Sequence, residues 1–434
     1  MKNLELKNVK GSNDYGTEDQ IIRNFISDTL KNVFEKYGYK PLSTPILCYY
    51  DLLALKYDED NDILKEIYKV TDQANRNLAL RYDLTVPFSK YIAMNKNLRF
   101  PYKRYEIGKV FRDGPVKAGR SREFIQCDVD SVGIEGQMVE AELISLFVEG
   151  YKKLGINIVI KYNNRKIMSG IMEAAGIDET KVRDTITVVD KFEKLSREEL
   201  TEEFYKIGLT NDNITKLITY LGWDFEQIKE RFNDTNNEKL ALGIKELEEL
   251  NKYIESLNLK EYVQFSSSLA RGQDYYTGTV FEVYQKNGVI KSSIGGGGRY
   301  DDIIGNFIDD GKKYPACGIS FGLDVIFEIL KMKEKQKKTN VEVYIIPMEN
   351  NVKALELAKN LRAEEFNVDI DMNNSKIKKA LKYANEEGIP FVIIVGEDEI
   401  KDNKVVIKNM LKNTQTIVDI EKIEDTLLDR CNDK

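Results

Sequence analysis

KRYEIGKVFRDGPVKAGRSREFIQCDVDSVG, residues Lys103 to Gly133, sets arginines beside a glycine-containing turn between strand-like runs. It closes a strand-rich region, residues 76–133, in which arginines punctuate the strands. Arginine on a strand beside a glycine-containing turn is the residue type that grips phosphate bidentately and never loses its charge. Arg112, Arg120 and Arg122 stand in this stretch, and Arg271 stands in a second dense pattern further on. A lone arginine more often makes a surface ion pair of little consequence. The density of pattern around these four favours phosphate.

Working outward, residues 17–38 predict a helix. Thr17 and Gln20 have capping-box spacing, and Ile21, Ile22, Phe25, Ile26, Leu30, Val33 and Phe34 recur on one face. Gly38 stands where a C-cap glycine belongs. The extended run Tyr39 to Leu47 contains Pro45, which confines it to a sheet edge or an interface. Downstream, helical periodicity with few glycines predicts a mostly helical insertion over 170–257. Asn287-Gly288, between Thr279–Gln285 and Val289–Ile294, is a hairpin signal. The run Gly295 to Gly298 matches neither G-x-G-x-x-G nor a P-loop; its backbone N–H groups could cradle phosphate, but its missing side chains are rather expected to admit a ligand to a sheet face. A strand and helix follow over Pro315 to Leu330, then the polar linker KMKEKQKKTN at 331–340. Residues 341–430 alternate strand and helix as βαβαβ, predicting a small α/β domain with a largely parallel core.

Composition bounds the chemistry. The 434 residues suffice for about three domains, 42% of them are apolar, and no apolar run reaches membrane-spanning length. MKNLELKNVKGSNDYG has no signal-peptide core, so a cytoplasmic location is expected. Cys48, Cys127, Cys317 and Cys431 are scattered, which argues against a disulfide framework or a cysteine zinc site. A net charge of −7 argues against a generic nucleic-acid coat, though basic residues can still gather on one face. The chain has no histidine at all. That excludes Ser-His-Asp triads, Cys-His dyads and histidine-ligated metals, leaving catalysis to carboxylates, Tyr, Lys, Arg or electrostatic positioning.

Five segments in order resemble the histidyl branch of the class II aminoacyl-tRNA synthetases. KGSNDYG (Lys10–Gly16) with KYGYKPLSTP (Lys36–Pro45) resembles the family's opening and first class motif. LALRYDLTVPFSKYIAMN (Leu78–Asn95) resembles a histidine-site segment, and Lys103–Gly133 the second class motif. SLARGQDYYTGTVFEVY (Ser268–Tyr284) resembles the histidyl signature, followed by GGGGRYDDIIG (Gly295–Gly305). Residues 341–434 resemble its anticodon-binding domain.

The resemblance implies an α+β fold: an antiparallel catalytic sheet of six to seven strands with flanking helices, a helical insertion and a C-terminal α/β domain. It implies a catalytic domain in two parts, 1–169 and 258–330, around the insertion at 170–257. The implied activity joins histidine to ATP and passes it to tRNA(His), with Mg2+ accompanying ATP and a homodimer as the assembly. Arg112 is expected on the α-phosphate, Arg120 on the outer phosphates and Arg271 on the opposite side of the α-phosphate. Asp83, Thr85 and Gln126 are expected to bind the α-amino group, Asp130 and Tyr276 the ring nitrogens, with Tyr275 and Tyr300 lining the pocket. On residue type alone, Asp83 also reads as a turn cap and Tyr275–Tyr276 as core aromatics.

Two positions depart from the family pattern. Val325 stands where the third class motif, within PACGISFGLDVIFEIL (Pro315–Leu330), has arginine, and Gly114 where class II motifs often have glutamate. Lys117, Arg120 or Arg122 could compensate for the missing cation. Two other readings stand beside the enzyme: a regulatory paralogue that partners ATP phosphoribosyltransferase, and a tRNA sensor that binds without charging.

Overall fold

The computed structural model describes residues 5–55, 62–116, 119–192, 194–233, 235–270, 275–333 and 337–431. The chain divides into two units, Met1–Asp14 with Phe25–Leu330 and Tyr15–Asn24 with Lys331–Lys434.

The helix Thr17–Lys36 buries Ile26, Leu30, Val33 and Phe34, and the Phe34 ring lies against Tyr105 and Phe321. Gly38, at φ +78°, closes it: the Gly38 and Tyr39 N–H groups donate back to the Glu35 and Phe34 carbonyls. Two details differ from the sequence reading. The Gly16 carbonyl accepts from the Gln20 N–H, so Thr17 is already helical, and the Gln20 side chain reaches Asn24 rather than a cap. Phe25 is 51% exposed because the buried stripe runs through Ile26, Leu30 and Val33, and Phe25 lies off its edge.

β1 (Lys40–Pro41) is followed by three short strands, β2 (Leu47–Tyr49), β3 (Lys69–Thr71) and β4 (Asn77–Leu80), which form a small sheet of their own. The longer strands are β5 (Tyr102–Phe111), β6 (Glu123–Val132), β7 (Ile158–Asn164), β8 (Val263–Phe265), β9 (Thr279–Gln285), β10 (Gly295–Arg299) and β11 (Ala316–Gly322). With β1 they make an eight-stranded sheet in the order β1-β5-β6-β11-β10-β9-β7-β8. Its six central strands are antiparallel, and the short edge strands β1 and β8 pair parallel to β5 and β7. Parallel edge strands carry too little pattern to read from the sequence, and they extend the six to seven strands predicted.

The Asn287-Gly288 hairpin is corrected. Asn287 does turn, with φ +56°, but Val289–Ile294 forms no strand and Val289 is 80% exposed. The glycine run is itself the returning strand: Gly295–Gly298 pairs with Val283–Val280 on one side and Phe321–Gly318 on the other. A Cβ on Gly297 would stand 2.1 Å from the Gly318 carbonyl oxygen. Only glycine lets these two strands approach.

Among the described residues, six α-helices and one short 3-10 turn between Arg165 and Ser256 form the helical segment. Three of them start at full capping boxes: Ser196 with Glu199, Thr210 with Asn213 and Asp224 with Gln227. These fix sharp starts for helices of eight to eleven residues.

In the second unit β12 (Val343–Ile346), β13 (Val368–Ile370) and β14 (Phe391–Ile394) are parallel, and β15 (Lys404–Asn409) and β16 (Thr414–Asp419) add antiparallel. The strand period of two sorts β12 between two cores. Val343 and Ile345 pack with the helix Asn351–Ala363, whereas Tyr344 and Ile346 pack with the helix Ile377–Glu386.

Gly297→Ala is expected to lower stability by about 1–3 kcal/mol, because the added methyl must separate two hydrogen-bonded strands. Urea unfolding of the full chain checks this.

Candidate active site

The face of the large sheet that holds the cavity is set by register. Along β6, Gln126, Asp128 and Asp130 share one face. Across from them on β5 stand Gly108, Glu106 and Arg104, and on β11 stand Gly322, Ser320 and Gly318. A Cβ on Gly318 would meet Asp130 Oδ1 at 1.9 Å, so glycine there makes room for the carboxylate. The side-chain-free backbone of Gly295, Gly296 and Gly297 forms another wall.

The β6 and β11 residues and these glycines line a cavity of roughly 270 Å3, together with Asp83, Thr85, Arg112, Phe124, Tyr275, Tyr276, Glu282 and Tyr300. Under it runs a buried charge network. The Arg104 guanidinium, 0% exposed, lies 2.8 Å from Asp130 Oδ2 and 3.7 Å from Glu106 Oε2. Glu106 also holds Arg81 at 2.7 Å and accepts from the Thr44 backbone N–H at 2.9 Å, tying the segment before β2 to the sheet. The Tyr300 hydroxyl donates to Asp130 Oδ1 at 2.5 Å, and the Tyr275 ring meets Tyr300 edge-on and lies against Tyr276.

The charges on this floor are unequal in their support. Burial works against the Arg104 charge, but Asp130, Asp128 and Glu106 outweigh it and hold the guanidinium protonated. Burial pushes Asp130 up, opposed by Arg104 and by the Tyr300 hydrogen bond, so it is the better held of the two aspartates. Asp128 is pushed up to about 7, first by burial and then by the neighbouring Asp130 charge. Burial and Asp130 together raise the Tyr300 phenol far above its ordinary value, so it remains a donor.

Among the described residues, Gln126 Oε1 is a buried acceptor without a hydrogen-bond partner, and Asp130 Oδ2 meets only the Arg104 guanidinium, as an ion pair outside hydrogen-bond geometry that also leaves Arg104 Nε and Nη1 unmet. Both belong to residues that line the cavity. A lining short of donors is complementary to a ligand rich in N–H groups, because unmet buried acceptors are costly. Arg112 stands at the same cavity, anchored by its Nε–H to the Tyr82 carbonyl at 3.0 Å and lying over the Phe124 ring. The site therefore joins an acidic recess to a fixed cation.

Residues 11–326 match the family model for histidyl-tRNA synthetase, and residues 342–430 match the one for the anticodon binding domain. The chain belongs to the histidyl-tRNA synthetase family. Histidine–tRNA ligase 1 of Bacillus cereus is 46% identical over 99% of both chains. The crystal structure of histidyl-tRNA synthetase from a Nostoc species superposes with a TM-score of 0.88 at 28% identity, covering 99% of this chain and 100% of that one. A structure from Bacillus halodurans, described as an ATP phosphoribosyltransferase regulatory subunit/histidyl-tRNA synthetase, shares the fold. Its TM-score is 0.75 at 22% identity, over 91% of this chain and 99% of that one.

Within this histidyl-tRNA synthetase fold, Asp83, Thr85, Arg112, Gln126, Asp130, Tyr275, Tyr276 and Tyr300 all line the one cavity. Asp83 does serve as a cap, Oδ1 accepting from the Val86 N–H at 3.0 Å, and it lines the cavity as well. Arg120 is not brought to the cavity wall: its side chain is half exposed and pairs with Glu66 at 3.3 Å. Arg122 is held by Asp113 at 3.1 Å and by the Gly114 carbonyl. Arg271 and Lys117 lie outside the described residues. At the two departures, Val325 lies beside Gly119, and the Glu66 carboxylate fills the space that a side chain on Gly114 would need. Asp128, Glu282 and Ser320 are lining residues that motif matching passes over. The strand period could have found Asp128, two residues from each of Gln126 and Asp130.

Tyr300→Phe removes a charge-assisted hydrogen bond from Asp130, so the Michaelis constant for histidine is expected to rise roughly tenfold. Steady-state amino-acid activation kinetics, with the ATP constant as internal reference, measures it.

Proposed function

We infer that the chain is a histidine–tRNA ligase, which activates histidine with ATP to histidyl-adenylate and transfers it to the 3′ end of its tRNA. The observation that carries this reading is the cavity itself, an acceptor-rich acidic recess that contains Arg112, in a chain of this family. Asp83, Thr85 and Gln126 take the α-ammonium, and Asp130 and Tyr276 take the ring nitrogens between Tyr275 and Tyr300. A site that bonds both ring nitrogens rejects apolar amino acids, whose binding would leave its own polar atoms unmet.

The substrate carboxylate is the nucleophile, so no side-chain base is needed. Its attack on the α-phosphorus puts negative charge on the equatorial oxygens. Arg112 meets that charge without proton transfer; by the family resemblance Arg271 takes the opposite side of the α-phosphate, and Arg120 takes the outer phosphates by exchanging its Glu66 ion pair for them. Magnesium enters with ATP, held largely by phosphate oxygens and water. The described residues hold no group of three or more acidic or cysteine side chains arranged to bind a metal themselves.

The C-terminal unit reads the anticodon of tRNA(His), and the helical segment touches the acceptor stem. The enzyme acts in the cytoplasm as a homodimer. Ile46, Leu47 and Tyr49, just after Pro45, are 41–58% exposed and supply an apolar strip for the dimer contact. Among the described residues no helix is long and apolar enough to cross a membrane.

ATP–pyrophosphate exchange with each standard amino acid is the direct test. Exchange with histidine alone is expected, falling about 100- to 1,000-fold in Arg112→Ala. No exchange in the unaltered chain would favour the regulatory or sensor readings. Sedimentation at micromolar concentration is expected to show a dimer, and Leu47→Glu is expected to shift it toward monomer.

A further inference from the structure

The cavity floor carries more negative charge than the proposed contacts use. Asp83, Glu106, Asp128 and Asp130 are each nearly or wholly buried, against two buried guanidiniums, Arg81 and Arg104. Those guanidiniums are committed: Arg81 sits on Glu106, and Arg104 lies between Glu106 and Asp130. Asp128 has no ion-pair partner of its own among the described contacts. Asp130 and Asp83 push its titration up and the shared Arg104 pulls it down, while the Arg112 guanidinium lines the same cavity but makes no ion pair with it among the described contacts. Glu106 stands directly across on β5 and Asp130 two residues along β6. Ser320, opposite on β11, hydrogen-bonds the carboxylate and Gln126 donates from the other side at 3.3 Å, neutral donors that offset only part of the burial. Asp83 adds its charge from the segment before the helix Thr85–Met94. Like charges paired directly across a sheet repel, and burial magnifies the repulsion.

We propose that Asp128 is a further specificity-determining residue, which holds a proton while the recess is empty and gives it up to receive the substrate's α-ammonium. The step balances simply. The Asp128 O–H bond breaks, its proton leaves to buffer, and the carboxylate so formed accepts an N–H from the ammonium beside Gln126 and Asp83. The incoming charge replaces the proton, so the recess never has to hold Asp128 as an anion without a countercharge of its own. This accounts for an acidic residue that would otherwise be pure cost in a buried floor. It rests on the histidine-activating reading and adds to it a residue with a pH signature. Asp128 stays protonated below its raised titration point, which lies near neutrality, so affinity for the ammonium should climb as pH rises through that point.

The test is histidine-dependent ATP–pyrophosphate exchange by the full chain and by Asp128→Asn and Asp128→Ser, between about pH 5.5 and 8.5. At the alkaline end both variants are expected to raise the Michaelis constant for histidine about tenfold or more, with that for ATP unchanged. Toward the acid end the difference from the unaltered protein should shrink, since its own Asp128 is then neutral. The histidine imidazole titrates in the same range but does so identically in all three proteins. As a second readout, 3-(imidazol-4-yl)propionate, which lacks the ammonium, should inhibit all three equally. Variant effects independent of pH, constants for ATP and histidine moving together, or equal loss of the des-amino inhibitor would each overturn the proposal while leaving the ligase reading intact. Absence of exchange in the unaltered protein would overturn both.

Discussion

A carboxylate and a guanidinium held out of water, Asp130 against Arg104, set the terms for the rest of the molecule. Neither could stay charged alone at that depth. Their partnership requires β5 and β6 in one register, Gly318 on β11 to clear the Asp130 side chain, and Tyr300 to close the remaining oxygen. Arg81 and Glu106 repeat the device one layer away and fasten the Thr44 segment to it. The sheet is therefore a scaffold for fixed charges. Side chains locked by packing and by each other need no rearrangement when a charged ligand arrives, and that is the source of electrostatic catalysis and of discrimination.

The absence of histidine makes the same point from composition. A reaction whose nucleophile is already a carboxylate needs positioning and charge stabilisation more than proton transfer. Arg112 suits that need, anchored to a backbone carbonyl and stacked over Phe124 beside the cavity. Where proton exchange does enter, in the recess floor, it falls to an aspartate whose titration the fold moves toward neutrality.

The all-glycine strand is the counterpart of this charged floor. Glycine in a strand interior weakens it and contributes no packing. Here the loss is accepted between two well-packed neighbours, and the space released becomes the cavity wall. The same glycines prevented a strand reading from sequence, since pattern rules look for β-branched and aromatic residues. Pairing with β9 and β11 overrode local propensity.

Sequence by itself determined the order of elements with long periodic patterns: the helix at Thr17–Lys36, the helical run, and the βαβαβ of the C-terminal unit. Its ordered motifs also carried the resemblance to the family that the chain belongs to. Tertiary structure alone decided which motif residues meet. Asp83, Gln126, Asp130 and Tyr300 converge although they are scattered over more than half the chain, whereas Arg120, from the same motif as Arg112, turns to Glu66. It also decided that Asp128 belongs with them and is destabilised as an anion. The physical reason is that a pattern is local, while burial, register and the field of neighbouring charges come from strands far apart in sequence.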